Sequence, residues 1–303
     1  MTLDQNNFLI TLEDELVRID KLLAKKFESK SRTYFQFLLE NGSILVNGQR
    51  VKKRFTPAVG DEIEIFFQAL EDSSINPENI PLDILYEDEH ILAINKPKNM
   101  VVHPAIGNWS NTFVNALLYH CKDLVCIGDD IRPGIVHRLD KDTTGVLLAA
   151  KTQRAHQILI DQFKLRQIQK KYLALTVNKP QNQVINAPIG RNPINRKEMA
   201  VIENGKEAVT EIKVLAFNDK YSLILALPKT GRTHQIRVHL KHINCPIIGD
   251  PIYGSKSINN TLDIQTPQLH AYILEFSHPI TKEPMKITAP LSDELKKNLN
   301  LIE

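Results

Sequence analysis

The residue whose type and setting could do chemistry first is Asp140. It stands in His137-Arg138-Leu139-Asp140-Lys141-Asp142-Thr143-Thr144-Gly145, after the turn former Pro133-Gly134 and before the apolar run 146–150. That order puts a carboxylate in a polar loop at the lip of a sheet, a common place for functional groups. A carboxylate there can attack as a nucleophile or move a proton. Taken alone, an Asp in such a loop more often caps it through backbone N–H groups. Asp140 and Asp142 could also be read as the paired acids of a glycosidase, although a loop does not assure the spacing that reaction needs. A second cluster, His234, His239 and His242 with Cys245 nearby, raises the question of a metal. His234 and His239 are five apart and miss the i, i+4 face of metal-binding helices, and no acid is suitably spaced. These histidines are read as structural or partner-facing, and no metal is expected.

The elements that must position Asp140 are mostly strands. Short strands are expected at 83–86 and 90–95 around the acidic turn Glu87-Asp88-Glu89, and a buried one at 146–150. Further strands are expected at 172–177, 208–217, 222–227, 272–276 and 285–288, with helices at 112–120, about 152–165 and 233–241. The strands cluster without regular alternation with helices. That favours an α+β fold with a mixed, largely antiparallel sheet over a doubly wound parallel one.

Upstream lies a smaller pattern. Ile19, Leu22, Leu23 and Phe27 recur at helical spacing, and Ser31 can cap a second helix carrying Phe35, Leu38 and Leu39. Asn41-Gly42 stops that helix, and Asn47-Gly48 between 44–46 and 49–51 is a strong hairpin signal. Gly60-Asp61 then precedes the alternating strand 62–65. The polar, turn-rich stretch 71–79 reads as a linker, so a small domain is expected at 14–69, a linker at 70–81 and a large domain at 82–303. On the small domain, Lys21 and Lys25 share a helix face. Arg18, Arg32 and the run Arg50-Val51-Lys52-Lys53-Arg54 add positive charge that could contact phosphates without reading sequence.

Bulk properties set limits around these motifs. The chain has 303 residues, 42% hydrophobic and 24% charged, with a net charge of +3. So small a net charge does not announce nucleic-acid binding; a basic surface must come from local clustering. Three cysteines, Cys121, Cys126 and Cys245, form no CxxC pair and suit a reducing compartment. The first ten residues carry Asp4 and lack the basic start and apolar stretch of a signal peptide, and no run approaches 18 apolar residues. The cytoplasm is the default expectation.

The motifs taken together carry a resemblance. Asn95-Lys96-Pro97-Lys98-Asn99-Met100-Val101-Val102-His103-Pro104 comes first, the block around Asp140 second, and Lys171-Tyr172-Leu173-Ala174-Leu175 third. Gly231-Arg232-Thr233-His234-Gln235-Ile236-Arg237-Val238-His239-Leu240 is fourth, followed by Pro246-Ile247-Ile248-Gly249-Asp250 and Tyr253-Gly254. In order and spacing they resemble the RluA family of uridine-to-pseudouridine enzymes, over nearly the whole chain from residue 14 to about 290. Residues 14 to 66 resemble the small RNA-binding module named after ribosomal small-subunit protein four. With that module the resemblance is to the RluD-like branch, which acts on large-subunit ribosomal RNA. Two departures stand out: Thr144 replaces the family's usual Ser, and Asn192 replaces a frequent His.

The resemblance implies an RNA pseudouridine synthase of the α+β pseudouridine synthase fold, working without a cofactor, with RNA as partner. It implies that Asp140 is the essential carboxylate, acting either by covalent attack or by abstracting a ribose proton. Arg237 matches the family's active-site arginine, and a nearby Asp140–Arg237 pair is expected; such a pair can be bidentate, which would orient the carboxylate. Tyr172 matches the active-site tyrosine, whose ring can stack on the uracil and whose hydroxyl can handle protons. Arg138 resembles a residue that fills the space left by the flipped base. A monomer is the simplest expectation. The runner-up is a non-catalytic RNA-binding or ribosome-assembly protein that keeps the fold.

Overall fold

The computed structural model describes residues 4–12, 14, 17–27, 32–67, 75–103, 110–121, 124, 133–196 and 198–302. Ser31, Pro104 and Cys126, named above, lie outside them. The chain divides into two compact units, Met1–Ser73 and Ser74–Glu303.

The first unit contains β1 (Asp4–Leu9), α1 (Ile19–Lys26), α2 (Arg32–Glu40), β2 (Ile44–Val46), β3 (Gln49–Arg50) and β4 (Glu62–Phe67). Helical spacing puts Ile19, Leu22 and Leu23 of α1, and Phe35, Leu38 and Leu39 of α2, into one core. Period-two alternation turns Ile63 and Ile65 of β4 into the same core. Asn47 and Gly48 both take positive φ, 50° and 72°, and close the β2–β3 hairpin with two residues. Strand β1 precedes the expected start of the small domain at residue 14. Its sequence has no alternating apolar pattern; it exists by antiparallel pairing with β4, from Asp4↔Phe67 to Leu9↔Glu62. The sheet order is β1-β4-β2-β3.

The second unit opens with β5 (Ile84–Glu87), β6 (Ile91–Lys96), α3 (Phe113–His120), β7 (Thr144–Ala150), α4 (Gln153–Lys164) and β8 (Gln169–Val177). It continues with β9 (Gln183–Asn186), β10 (Ile189–Arg191), β11 (Met199–Val201), β12 (Val209–Phe217) and β13 (Tyr221–Pro228). It closes with α5 (Gln235–His242), α6 (Lys256–Leu262), β14 (Leu269–Ser277), β15 (Pro284–Thr288) and α7 (Asp293–Asn298). Nine strands form one sheet in the order β5-β6-β7-β14-β8-β13-β12-β9, with β15 also on β14. Among the described residues of this sheet, only β7 and β14 pair in parallel, so it is mixed and largely antiparallel.

Strands β6 and β7 read as continuous apolar runs because both of their faces are covered. Leu92, Ile94 and Leu147 pack with Phe113 and Leu117 of α3, whereas Ile91, Ala93 and Leu148 pack with Ala155 and Leu159 of α4. Thr112 and Thr152 are the N-caps of these helices, each accepting from a backbone amide in the first turn. The helix expected at 233–241 begins later, at Gln235, because His234 takes a left-handed conformation with φ 56°. The second half of the expected linker is not a free tether. Ile75 and Ile80 pack on the second unit's core, and Asn115 Nδ2 donates to Asn76 O at 2.8 Å.

The sheet forks at β14. Strand β8 runs along one edge of it, and β7 and β15 share the other edge, β7 at His270 and Ala271 and β15 from Ile273 onward. Gly145 makes the crossing possible. Its φ is 106°, and an added Cβ would collide with the Ala271 carbonyl. The loop carrying Asp140 leads directly into this crossing. Among the described residues, no helix is long and apolar enough to cross a membrane.

Candidate active site

The segment before β7 is pinned on both sides of Asp140. Val136 and Leu139 are buried. The His137 ring stacks on Phe163 with centroids 4.9 Å apart, and its Nε2 accepts from Leu148 N at 2.9 Å. Burial first, and the Lys170 charge second, push the His137 imidazole down to about 3, so it is neutral as an acceptor must be. These anchors leave Arg138 exposed and Asp140 half-buried at the cleft. No backbone amide donates to the Asp140 side chain among the described residues, so the loop-capping alternative lacks its hydrogen bond.

Arg237 lies in the first turn of α5 and is 5% exposed. Its Nη1 donates to Asp140 Oδ2 at 3.0 Å. The expected pair is thus present, but through a single N–H. The guanidinium fork closes on Asp250, Nε to Oδ2 at 2.6 Å and Nη2 to Oδ1 at 2.9 Å, leaving one N–H for Asp140. Asp250 also accepts from the amides of Ile252 and Tyr253. Burial alone would raise the Asp250 carboxyl; bonds from Arg237 and the two amides outweigh it and hold it below the usual range. Asp250 was visible as part of a motif, but nothing local in the sequence marked it as the partner of Arg237.

Tyr172 sits mid-sheet on β8, paired across to Ala226 and Ala271. Burial, and then the charge of Asp140, raise its hydroxyl well above the ordinary tyrosine value. Asp140, Tyr172 and Arg237 therefore face one cavity of about 550 Å³, and Arg138 lines it too. So do Lys164, Arg166, Lys170, Lys229 and Arg232, which the motifs alone did not single out. The available signal was the cationic bias of 164–171 and 229–232. Lys170 donates to Thr230 O at 3.1 Å, and burial pushes its amine down to about 8. Arg166 pairs with Glu207 at 2.8 Å.

Asp142 is separated from this arrangement. It lines another cavity, with Lys96 and Lys98, so the paired-acid glycosidase reading loses its geometry. No Arg138–Asp142 ion pair forms among the described residues. The histidines do not converge as a metal set: His234 Nδ1 meets the Tyr253 hydroxyl, while buried His239 bonds Thr210 Oγ1 and Ala187 O. Glu87, His120 and Cys121 do approach one another, but Glu87 is already paired with Lys151 and His120. Asn192 accepts from the Ile194 and Asn195 amides and shapes the turn between β10 and β11.

In the first unit, Arg18 and Arg32 are not simply free cations. Both bond the buried Asp20 carboxylate, as does Gln36. Lys53 pairs with Glu40 at 2.6 Å, and the Arg50 side chain lies over Gly42. Lys21, Lys25 and Lys52 are exposed.

Comparison with known proteins agrees with this geometry. A family model described as RNA pseudouridylate synthase matches residues 90–242, and an S4 domain model matches 17–63. The uncharacterized RNA pseudouridine synthase YlyB of Bacillus subtilis is 40% identical over 295 residues, 97% of this chain and 96% of its own. Ribosomal large subunit pseudouridine synthase D of Nitrosomonas europaea is 40% identical over 308 residues, 99% of this chain and 89% of its own. Among solved structures, human RNA Pseudouridylate Synthase Domain Containing 4 aligns with a TM-score of 0.58 at 28% identity, covering 72% of this chain and 92% of that one. Similarity of this extent, over the segment that builds the cleft, means that the chain belongs to the RNA pseudouridylate synthase family and is an enzyme that converts uridine in RNA to pseudouridine.

Proposed function

We propose that the cleft around Asp140 acts on uridine in large-subunit ribosomal RNA, with Asp140 as the reacting carboxylate. One observation carries the assignment of residues: the half-buried Asp140 takes its hydrogen bond from a buried arginine that is itself locked by Asp250, beside the Tyr172 ring. The ribosomal substrate is supported by relatives named for the large subunit, at 40% identity in the Nitrosomonas europaea protein.

The reaction breaks the N1–C1′ bond and forms a C5–C1′ bond, and the C5 proton is exchanged for one on N1. Atoms and electrons are conserved, so no oxidant, reductant or group donor is required. The uridine leaves its stack to enter the cleft, at a cost of a few kcal/mol that loops and weak stems reduce. Arg138, exposed beside the cleft, takes the space the base vacates. Tyr172 offers its ring to the uracil and, with its hydroxyl raised, presents an O–H at neutral pH. Arg237 orients the carboxylate through Oδ2. Oδ1 accepts no hydrogen bond among the described residues and is free for the reacting sugar or base. Attack by Asp140 and proton abstraction from ribose C2′ both use this arrangement.

Exposed Lys21, Lys25, Arg50, Lys52 and Lys53 give the first unit a phosphate-binding role, with Arg18 and Arg32 sharing their charge between Asp20 and RNA. The reading takes the protein as a monomer, working in the cytoplasm where ribosomal subunits assemble.

The test is tritium release from RNA labelled at uridine C5. Asp140→Asn should abolish release, by about three orders of magnitude or more, while RNA binding persists. Normal turnover by this variant would sink the assignment. Mapping pseudouridine in large-subunit RNA from cells lacking the protein, restored with wild type or Asp140→Asn, tests the substrate.

A further inference from the structure

Asp140, Arg237, Asp250, Tyr253 and His234 form a nearly closed polar ring. Tyr253 N donates to Asp250 Oδ1 at 3.0 Å, and the Tyr253 hydroxyl meets His234 Nδ1 at 2.9 Å. The ring has one gap. His234 Nε2 stands 3.9 Å from Asp140 Oδ2, too far for a direct hydrogen bond.

The protonation of His234 follows from its neighbours. Tyr253 is 3% exposed, and its hydroxyl oxygen already accepts from Met199 N at 2.9 Å. Its own hydrogen needs an acceptor, since a buried donor left unpaired is costly. Among the described residues that acceptor is His234 Nδ1. With Nδ1 accepting, the neutral ring carries its proton on Nε2, aimed at the gap. Burial, with the charges of Arg237 and Arg138, keeps the imidazole below its ordinary value despite Asp140 and Asp250.

The gap thus has an N–H donor on one side and an acceptor-only carboxylate on the other. A hydroxyl can accept from the first and donate to the second. Two contacts of about 2.8 Å across the gap meet at roughly 90°, a reasonable angle at a hydroxyl oxygen. Within an RNA chain the 3′ and 5′ oxygens are esterified, so the free ribose hydroxyl is the 2′-OH. We infer that His234 and Asp140 together clamp the 2′-hydroxyl of the target uridine, His234 Nε2–H donating to it and the hydroxyl donating to Asp140. His234 is then a specificity-determining residue for ribose over deoxyribose, and Tyr253 a positioning residue that sets its tautomer. The inference rests on the proposed role of Asp140 and goes beyond it. The 2′-oxygen sits on C2′, the carbon used by proton abstraction, next to C1′, the carbon used by attack on the sugar.

The test crosses an enzyme variant with a substrate variant. His234→Asn suits the backbone, since Asn tolerates the left-handed region. Its Oδ1 can replace Nδ1 toward Tyr253, and only the Nε2–H is lost. Rates of kcat/KM are measured for wild type and His234→Asn on a model RNA with either ribose or 2′-deoxyribose at the mapped target uridine. Each single change should cost about 10- to 100-fold, and the two together should cost little more than either alone. Losses that multiply, or His234→Asn at wild-type rate on ribose, would overturn the clamp. A merely structural His234 gives multiplying losses. Nitrogen-15 NMR of the full-length wild-type enzyme supplies a second reading: His234 should be protonated at Nε2, and protonation at Nδ1 would overturn the inference. Turnover surviving in Asp140→Asn would instead sink the underlying assignment of Asp140.

Discussion

Arg237 and Asp250 form a buried, bidentate ion pair, and that pair, with 2.6 Å and 2.9 Å contacts, decides how Asp140 is held. The arginine reaches Asp140 with the one N–H left over. Positioning of the carboxylate proposed to react therefore depends on a second carboxylate that need not touch substrate.

Asp250→Asn should show this dependence. It leaves a buried guanidinium facing a neutral amide, and breaking one side of a buried pair costs about 3–5 kcal/mol. Urea unfolding should report that loss. Tritium release should fall about 100-fold, because Asp140 is no longer oriented. Unchanged stability and turnover would mean that the fork is dispensable.

The Lys170 amine should impose a pH dependence on RNA binding. With its amine at about 8 rather than 10.5, it is charged at neutral pH and loses its charge as pH rises through 8. RNA affinity should therefore weaken between about pH 7 and pH 9, and Lys170→Arg should flatten that change. Stability moves the other way. The unfolded chain keeps the Lys170 proton up to about 10.5, so between the two values the unfolded state binds more protons and folding becomes more favourable with rising pH. Weaker binding at pH 9 is thus separable from unfolding. Equal pH profiles for wild type and Lys170→Arg would exclude Lys170 as the source.

Gly145→Ala places a Cβ on a residue at φ 106°, against the Ala271 carbonyl. Backbone strain of about 1–3 kcal/mol is expected, read as a lower denaturant midpoint. The strain falls where β7 crosses β14, directly after the Asp140 loop. Specific activity of the folded fraction should fall as well. A variant with the parent's midpoint and activity would show that the crossing tolerates a side chain.

Lys21 and Lys52 make no hydrogen bond or ion pair among the described residues. Each phosphate contact they make should contribute about 0.7–0.9 to the slope of log affinity against log salt. Replacing both by Gln should lower that slope without lowering stability. Arg18→Gln provides the contrast, because it removes a partner of buried Asp20 and should destabilise the first unit. A double variant with the parental salt slope would remove these lysines from the RNA contact.

What the sequence determined by itself was local or chemical. Helices near 112–120 and 152–165 follow from local pattern, Asn47-Gly48 turns its hairpin, and strand clustering indicates a mixed, largely antiparallel sheet. These depend on interactions between residues a few positions apart, which sequence patterns express directly. Asp140, Tyr172 and Arg237 were named through motifs rather than geometry, and the structure brings the three to one cavity. Tertiary structure alone decided the rest. Strand β1 has no period of its own and is made by the edge of β4. Residues 75–81 look like a linker until Ile75 and Ile80 meet a core assembled from distant segments. Arg237 lies 97 residues from Asp140 and 13 from Asp250, and nothing local says which of the two takes the fork. His234 looks like a helix residue in sequence and becomes a left-handed cap facing a carboxylate. In each case the deciding contact joins chain segments whose approach is set by packing of the whole unit, and short-range propensity carries no information about it.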